Sequence, residues 1–302
     1  MKIGLSLSPG GLLLPYHMGV LHQLKHENVI DSSTLVAGSS AGSIAAMAHG
    51  CDVHPYQVLE GTIEISETCQ KKYGRAHGKL LQQLEHHMER LVGQKEFDHL
   101  QQQSSKIGIA YTQVFPKHQS YLQTSFASRD DLFRAVRYSC MFPFYTADSP
   151  WLMDTSVSST RQLLPRLMMD GLFSVPWDRF GCPLLEDMST DVDRTIAVSV
   201  LPQHVLKWCA NGMGSFPKHN CISPSLAGQE ANNDYWMINL IRMAVFPSSR
   251  QELTRLFDSG GRDAEMWCRQ EERRHRQKEK RKRQRRRILR METANAEKRV
   301  GV

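Results

Sequence analysis

The sequence predicts an α/β fold in which helices cover both faces of a mostly parallel central sheet, followed by a basic C-terminal tail. Three observations carry that prediction. Short apolar runs at 2–8 (KIGLSLS), 34–37 (TLVA), 107–115 (IGIAYTQVF) and 195–201 (TIAVSVL) read as buried strands. Stretches of helical apolar spacing separate most of them, and such alternation lays strands parallel with helices crossing between them. The first two strands end in glycine-rich turns, Pro9-Gly10-Gly11 and Gly38-Ser39-Ser40-Ala41-Gly42, each placed where a strand hands over to a helix.

Taken in order, Lys2 to Ser8 alternates like a buried strand, breaks at Pro9, and leads into a helix expected from near Leu14. After the strand at 34–37, Ser43 to His49 (SIAAMAH) is small and helix-forming. Pro55 to Gln70 and His77 to Val92 have helical apolar spacing, the second with Leu80, Leu81, Leu84, Met88 and Leu91 on one face. Ile107 to Phe115 is followed by a hairpin-like partner at 121–126. Ser128-Arg129-Asp130-Asp131 then has capping-box form ahead of a helix through about Ser139. Residues 203–229 are turn-rich. Tyr235 to Phe246 (YWMINLIRMAVF) is apolar enough for a helix packed on the core, the alternative being a surface that meets lipid.

With 40% hydrophobic residues, the chain can bury a large core. Its seven cysteines are odd in number, scattered, and without C-x-x-C spacing. They read as reduced thiols, and neither a disulfide frame nor a metal site is expected. No apolar stretch approaches the roughly 18 to 20 residues that span a bilayer, so membrane contact would be peripheral. The charge is uneven: residues 269–290 hold thirteen Lys or Arg against three Glu, whereas the whole chain carries +7, which leaves the rest mildly acidic. This stretch is rich in helix formers but has no apolar stripe to bury. Its core, KRKRQRRR at 280–287, suits a nuclear address, an RNA contact or an anchor to anionic headgroups. A solvated extension with no dedicated partner is the bland alternative.

The second turn has the form G-x-S-x-G, in which a serine occupies a tight strand-to-helix turn and flanking glycines let backbones approach closely. Ser40 is therefore the candidate nucleophile, between Gly38 and Gly42. A helix merely capped by Ser39 or Ser40 is the plainer reading, and the glycine on each side favours the elbow. In the first turn the backbone N–H groups of Gly10, Gly11 and Leu12 are candidate oxyanion donors, while Pro9 has no N–H to offer.

The stretch Ile3 to Asp52, with LSLSPGG, YHMGVLHQL and LVAGSSAGSIAAMAHG, resembles the start of a patatin-like phospholipase domain, and the likeness extends over about the first 180 residues. The resemblance implies a three-layer αβα domain, here 1–265, with 266–302 as the tail. It puts the nucleophile on Ser40 and the oxyanion turn on Gly10 and Gly11. The catalytic base falls on Asp170 of Met169-Asp170-Gly171-Leu172, followed by Pro176, to make a Ser-Asp dyad with no histidine, metal or cofactor. Asp154 ranks second for the carboxylate because no glycine follows it, and His17, His49 and His54 read as packing or surface residues. Three departures stand out. Pro9 replaces the first glycine of the triplet, Leu13 and Leu14 replace its arginine and last glycine, and Leu172 replaces the second glycine after the aspartate.

The implied activity is hydrolysis of ester-linked acyl chains from phospholipid, lysophospholipid or acylglycerol at a peripheral membrane or lipid-droplet surface, in the cytoplasm, with a nuclear location left open by the tail. A catalytically weak or inactive lipid-binding relative is the first rival. The second, a nucleic-acid-binding protein using the tail, is disfavoured by the acidic remainder of the chain and the lack of a reading module.

Overall fold

The computed structural model describes residues 2–102, 107–154, 164–175, 179–185, 192–202, 218–224 and 234–300. Pro176, Cys209 and most of the turn-rich stretch 203–229 lie outside them. Eight strands form one sheet: β1 (Ile3–Leu7), β2 (Leu35–Ser39), β3 (Ile107–Phe115), β4 (Gln119–Gln123), β5 (Leu152–Asp154), β6 (Arg166–Met169), β7 (Arg194–Val198) and β8 (Cys221–Ile222). Their order is β5-β6-β3-β2-β1-β7-β8, with β4 paired to β3. The helices are α1 (Leu14–His26), α2 (Ala41–Gly50), α3 (Pro55–Thr68), α4 (Leu80–Leu91), α5 (Gln94–Gln102), α6 (Arg129–Ser139), α7 (Asp234–Val245) and α8 (Arg250–Val300).

As expected, the sheet is mostly parallel and layered with helices. β3, β2, β1, β7 and β8 run parallel in that order, while β4, β5 and β6 are antiparallel additions. Alternation along β1 explains its two faces. Leu5 and Leu7 join the main core with α1 and α2, whereas Gly4 packs against Leu185 and Val192, and the Ser6 hydroxyl donates to the Pro183 carbonyl at 2.7 Å. That second face is covered, among the described residues, by the segment 179–185.

Two element groups go beyond the sequence expectations. α5 is a nine-residue helix whose buried contribution is Phe97 and Leu100, too few to show a period. β5 and β6 have three and four residues and exist only through pairing. At α6 the Ser128 hydroxyl caps Asp131 N–H at 3.1 Å, but the Asp131 carboxylate accepts from Ala127 N–H at 3.0 Å, so the return bond of the capping box is made one residue early.

The placement of β6 positions the site. Ile109 and Ala110 of β3 pair with both β2 and β4, and Thr112 and Gln113 pair with both β4 and β6. β2 and β6 must therefore lie on the same side of β3, end to end. β2 runs up to Ser39 opposite Ala110, and β6 runs down to Met169 opposite Thr112. The residues that follow each strand, Ser40 and Asp170, are thereby driven toward one another.

α8 is continuous from Arg250 to Val300. It starts beside α3, where Arg250 pairs with Glu60 at 2.7 Å and the neighbouring Ser248 N–H donates to Ser66 at 2.7 Å. It then crosses α1, where the Tyr16 hydroxyl donates to Asp263 at 2.9 Å. Further along, Trp267 donates to the His219 carbonyl at 3.0 Å, and Glu271 meets Arg194, the first residue of β7, at 2.5 Å. Burial continues through Ala264, Trp267 and Cys268, and beyond Cys268 none of the described side chains is buried. The helix thus runs from the end of the sheet near Ser40 to the opposite end, where the basic run begins. Trp267→Ala should cost about 3–5 kcal/mol, because it leaves a large void in a packed site. A denaturant midpoint unchanged from the parent would show that α8 contributes no core contacts.

Candidate active site

Ser40 follows β2 with φ 52° and ψ −122°, a conformation that L-residues adopt only under local constraint. Its carbonyl accepts from Ser43 N–H at 2.8 Å and from the Ser43 hydroxyl at 2.6 Å, and its N–H donates to the Ser139 hydroxyl at 2.8 Å. The backbone is thus pinned on both sides while the side chain is left to act. The turn needs its glycines because three backbones meet there. A Cβ on Gly38 would strike the Gly42 carbonyl, and one on Gly42 would lie 2.5 Å from the Leu7 carbonyl oxygen. The expected strand, tight turn and helix is the structure observed over Leu35–Gly50.

Asp170 is 1% exposed. Its Oδ1 accepts from Leu172 N–H at 2.8 Å, and Oδ2 is buried with no hydrogen-bond partner. Burial pushes the carboxyl up to about 7, against the pull of the Leu172 N–H and of the Ser40 hydroxyl. The Ser40 hydroxyl therefore lies close enough to bias the carboxylate without closing a full hydrogen bond in this state, as is common in unliganded catalytic sites. Leu172 acts through its backbone N–H, so the departure from glycine there does not remove the contact that orients Asp170.

The turn expected to bind the oxyanion is a short 3-10 segment, Gly11–Leu13, closed by Leu13 N–H donating to the Gly10 carbonyl at 3.0 Å. N–H groups at the start of such a segment have no carbonyl within it to bond, so those of Gly10, Gly11 and Leu12 remain the candidate donors. Gly11 has φ 54° and lies against the Ala244 carbonyl of α7. Leu13, in the arginine position, is 1% exposed and packs in the core. Leu14, in the position of the last glycine, lines the cleft described next.

Ser40 and Gly11 sit at the edge of an apolar cleft of about 500 Å³, counting its open mouth, whose walls include Ile44, Ile65, Leu80 and Leu84. A second apolar pocket, about 370 Å³ counting the open space at its mouth, adjoins it, sharing Leu14, Ile44, Thr62, Ile65 and Leu84 and reaching Met47 and Met88. The floor comes from α1 to α4, helices whose apolar spacing the sequence displays. Ser139 and Thr146, by contrast, carried no sequence signal of their own.

The remaining candidates lie elsewhere. Asp154 accepts from the Tyr138 hydroxyl at 3.0 Å on β5. His17 is fully buried, with Nε2 2.8 Å from the Ser8 carbonyl oxygen, and burial pushes its pKa down to about 4. His49, at the far end of α2, is likewise pushed down to about 4 by burial. His54 caps α3, its Nδ1 accepting from Tyr56 N–H at 3.4 Å. None of these histidines is among the described residues lining the Ser40 cleft.

The patatin-like phospholipase family model matches residues 5–180. No curated protein matches the chain. Among solved structures it is similar to VipD from Legionella pneumophila, at 12% identity and a TM-score of 0.42 over 88% of this chain and 67% of that one.

Proposed function

Because the chain belongs to the patatin-like phospholipase family, we propose that it is a serine acyl hydrolase that releases ester-linked acyl chains from phospholipid, lysophospholipid or acylglycerol. The Ser40 hydroxyl attacks the ester carbonyl and Asp170 takes its proton. The N–H groups of Gly10, Gly11 and Leu12 stabilise the negative oxygen of the tetrahedral intermediate. As that intermediate collapses, the carbon–oxygen bond to the leaving alcohol breaks, and Asp170 returns the proton to the alcohol. Water then attacks the acyl-Ser40 ester, giving its proton to Asp170, which passes it back to Ser40 as the fatty acid leaves.

The observation that carries this reading is the buried carboxyl of Asp170, whose Oδ2 has no hydrogen-bond partner and whose acidity is biased by the Ser40 hydroxyl. A carboxylate raised to about 7 is basic enough to accept a proton yet half ionised near neutrality. The apolar lining of the cleft and of the pocket adjoining it suits an acyl chain rather than a polar group.

A fluorophosphonate probe, which reacts with activated serines, tests the proposal on the intact protein. The expected result is one covalent adduct, mapped to the peptide containing Ser40. An unlabelled protein would favour the inactive lipid-binding reading instead, and a label on another serine would overturn the assignment.

A further inference from the structure

We propose that the protein docks on anionic phospholipid surfaces with the rim of the Ser40 cleft, and that the basic tail takes no part in that docking. This rests on the reading of the cleft as the entry for a lipid acyl chain.

The described residues expose eleven large apolar side chains. Apart from Tyr56, they lie on the end of β3, on β5 and just before each of the paired strands β5 and β6, on the loop at 142–144, and on α7 with Phe246 after it. These segments gather at the end of the sheet that carries Ser40. The loop and α7 are joined to each other and to the cleft. The Tyr145 hydroxyl donates to the Ala244 and Val245 carbonyls at 3.0 and 2.9 Å. Ala244 in turn packs on Gly11, and Cys140 and Thr146 form part of the cleft wall.

α7 divides its faces in the way a helix lying at an interface must. Leu240 and Met243 point into the core, while Ile238, Ile241 and Val245 form an outward stripe at i, i+3 and i+7. Phe246, which follows the helix, and Phe144, beside the Tyr145 that binds its last carbonyls, are each 57% exposed. Exposed apolar groups so concentrated are costly in water unless something covers them. Next to them runs the segment 71–79, tied to the same loop by Gly78 N–H donating to the Tyr145 carbonyl at 2.6 Å. Lys71 and Lys79 pair with Glu67 and Asp148, whereas Lys72 and Arg75 are exposed, with no ion pair among the described residues. Exposed apolar side chains beside an apolar cleft, flanked by cations without ion pairs among the described residues, match a membrane with negative headgroups: side chains enter the acyl region and cations meet the phosphates.

The tail is on the wrong side to share this role. At Glu271 α8 has reached Arg194, which pairs with Ile3 at the opening end of the sheet, while Ser40 follows the closing end of β2. The basic run continues from there along the same helix.

The test uses the full chain and vesicles of phosphatidylcholine with phosphatidylserine, read by co-sedimentation, with Tm showing that each variant remains folded. Phe144→Glu/Phe246→Glu should lower partitioning at least about tenfold. Lys72→Glu/Arg75→Glu should lower it about tenfold at low salt and less as salt is added. Charge reversal in the tail, Lys280→Glu/Lys282→Glu/Arg283→Glu, should leave it within about twofold. Rim variants that bind like the parent, loss of binding on tail reversal, or a parent that does not bind these vesicles would each overturn the proposal. Because sedimentation needs no turnover, the two readings fail separately. Ser40→Ala should bind vesicles as the parent does, and a docking parent with no esterase activity would remove the chemistry while leaving the surface.

Discussion

Ser40→Ala is expected to abolish hydrolysis of acyl esters, short or long, leaving at most about a thousandth of the parental kcat/KM. The expectation is this large because no neighbouring group can replace the nucleophile. Ser43 spends its hydroxyl on the Ser40 carbonyl, Ser39 spends its own on the Gly181 carbonyl, and Ser139 receives the Ser40 N–H. Folding should be nearly untouched. The elbow is held by backbone bonds from Ser40 N–H and carbonyl, which alanine keeps, and the lost hydroxyl closes no full bond to Asp170. A Tm shift of only a degree or two together with lost turnover is the signature to look for. Near-parental turnover on an ester substrate would exclude Ser40 as nucleophile.

Asp170→Asn should lower kcat/KM by about 10² or more while preserving shape, because the amide keeps the volume and an acceptor for Leu172 N–H but cannot take a proton. The parent's pH profile should carry the matching limb. Its kcat/KM falls as pH drops through about 7, where Asp170 becomes protonated, and the variant's residual activity lacks that limb.

Stability should move the other way. Folding raises the Asp170 pKa from 3.8 to about 7, so protonation favours the folded state. The carboxyl is without penalty below about 3.8. As pH rises toward about 7 it destabilises the fold progressively, because the unfolded chain ionises there and the folded one does not, and above that the penalty is complete. At pH 8 the asparagine variant should therefore melt higher than the parent, and a lower Tm would show that the carboxylate is compensated by partners not seen here. Single substitutions of His17, His49 and His54 should leave turnover largely in place. A histidine variant as inactive as Ser40→Ala would instead indicate a triad.

The parts of this protein that could be read from residues alone are those whose cause is local. A strand that stops at Ser39 and resumes as an alanine-rich helix forms an elbow because backbone sterics at Gly38 and Gly42 admit little else. The amphipathic spacing of Leu80, Leu81, Leu84 and Met88 specifies a helix, and α4 buries Leu80, Leu81 and Met88. The mostly parallel order followed from strands alternating with such helices.

What stayed hidden depends on pairing between distant segments. β6 is four residues long with no alternation to announce it, and its position is set by hydrogen bonds to the upper half of β3. Only that pairing turns β6 head-on toward β2 and carries Asp170 from 130 residues along the chain to Ser40. The apolar stretch at 235–246 offered two readings, core or lipid surface, and the structure gives its helix one packed face and one exposed face. Its composition says that the helix is greasy, but which side is covered depends on what packs against it: among the described residues, the Gly11–Leu13 turn and Tyr145 meet one side, while Ile238, Ile241 and Val245 on the other are exposed. The basic run at 269–290 likewise announced its charge, while its direction came from Asp263, Trp267 and Glu271, whose partners lie on α1, before β8 and on β7. Charge and period are properties of a segment, whereas the side it faces is a property of its neighbours.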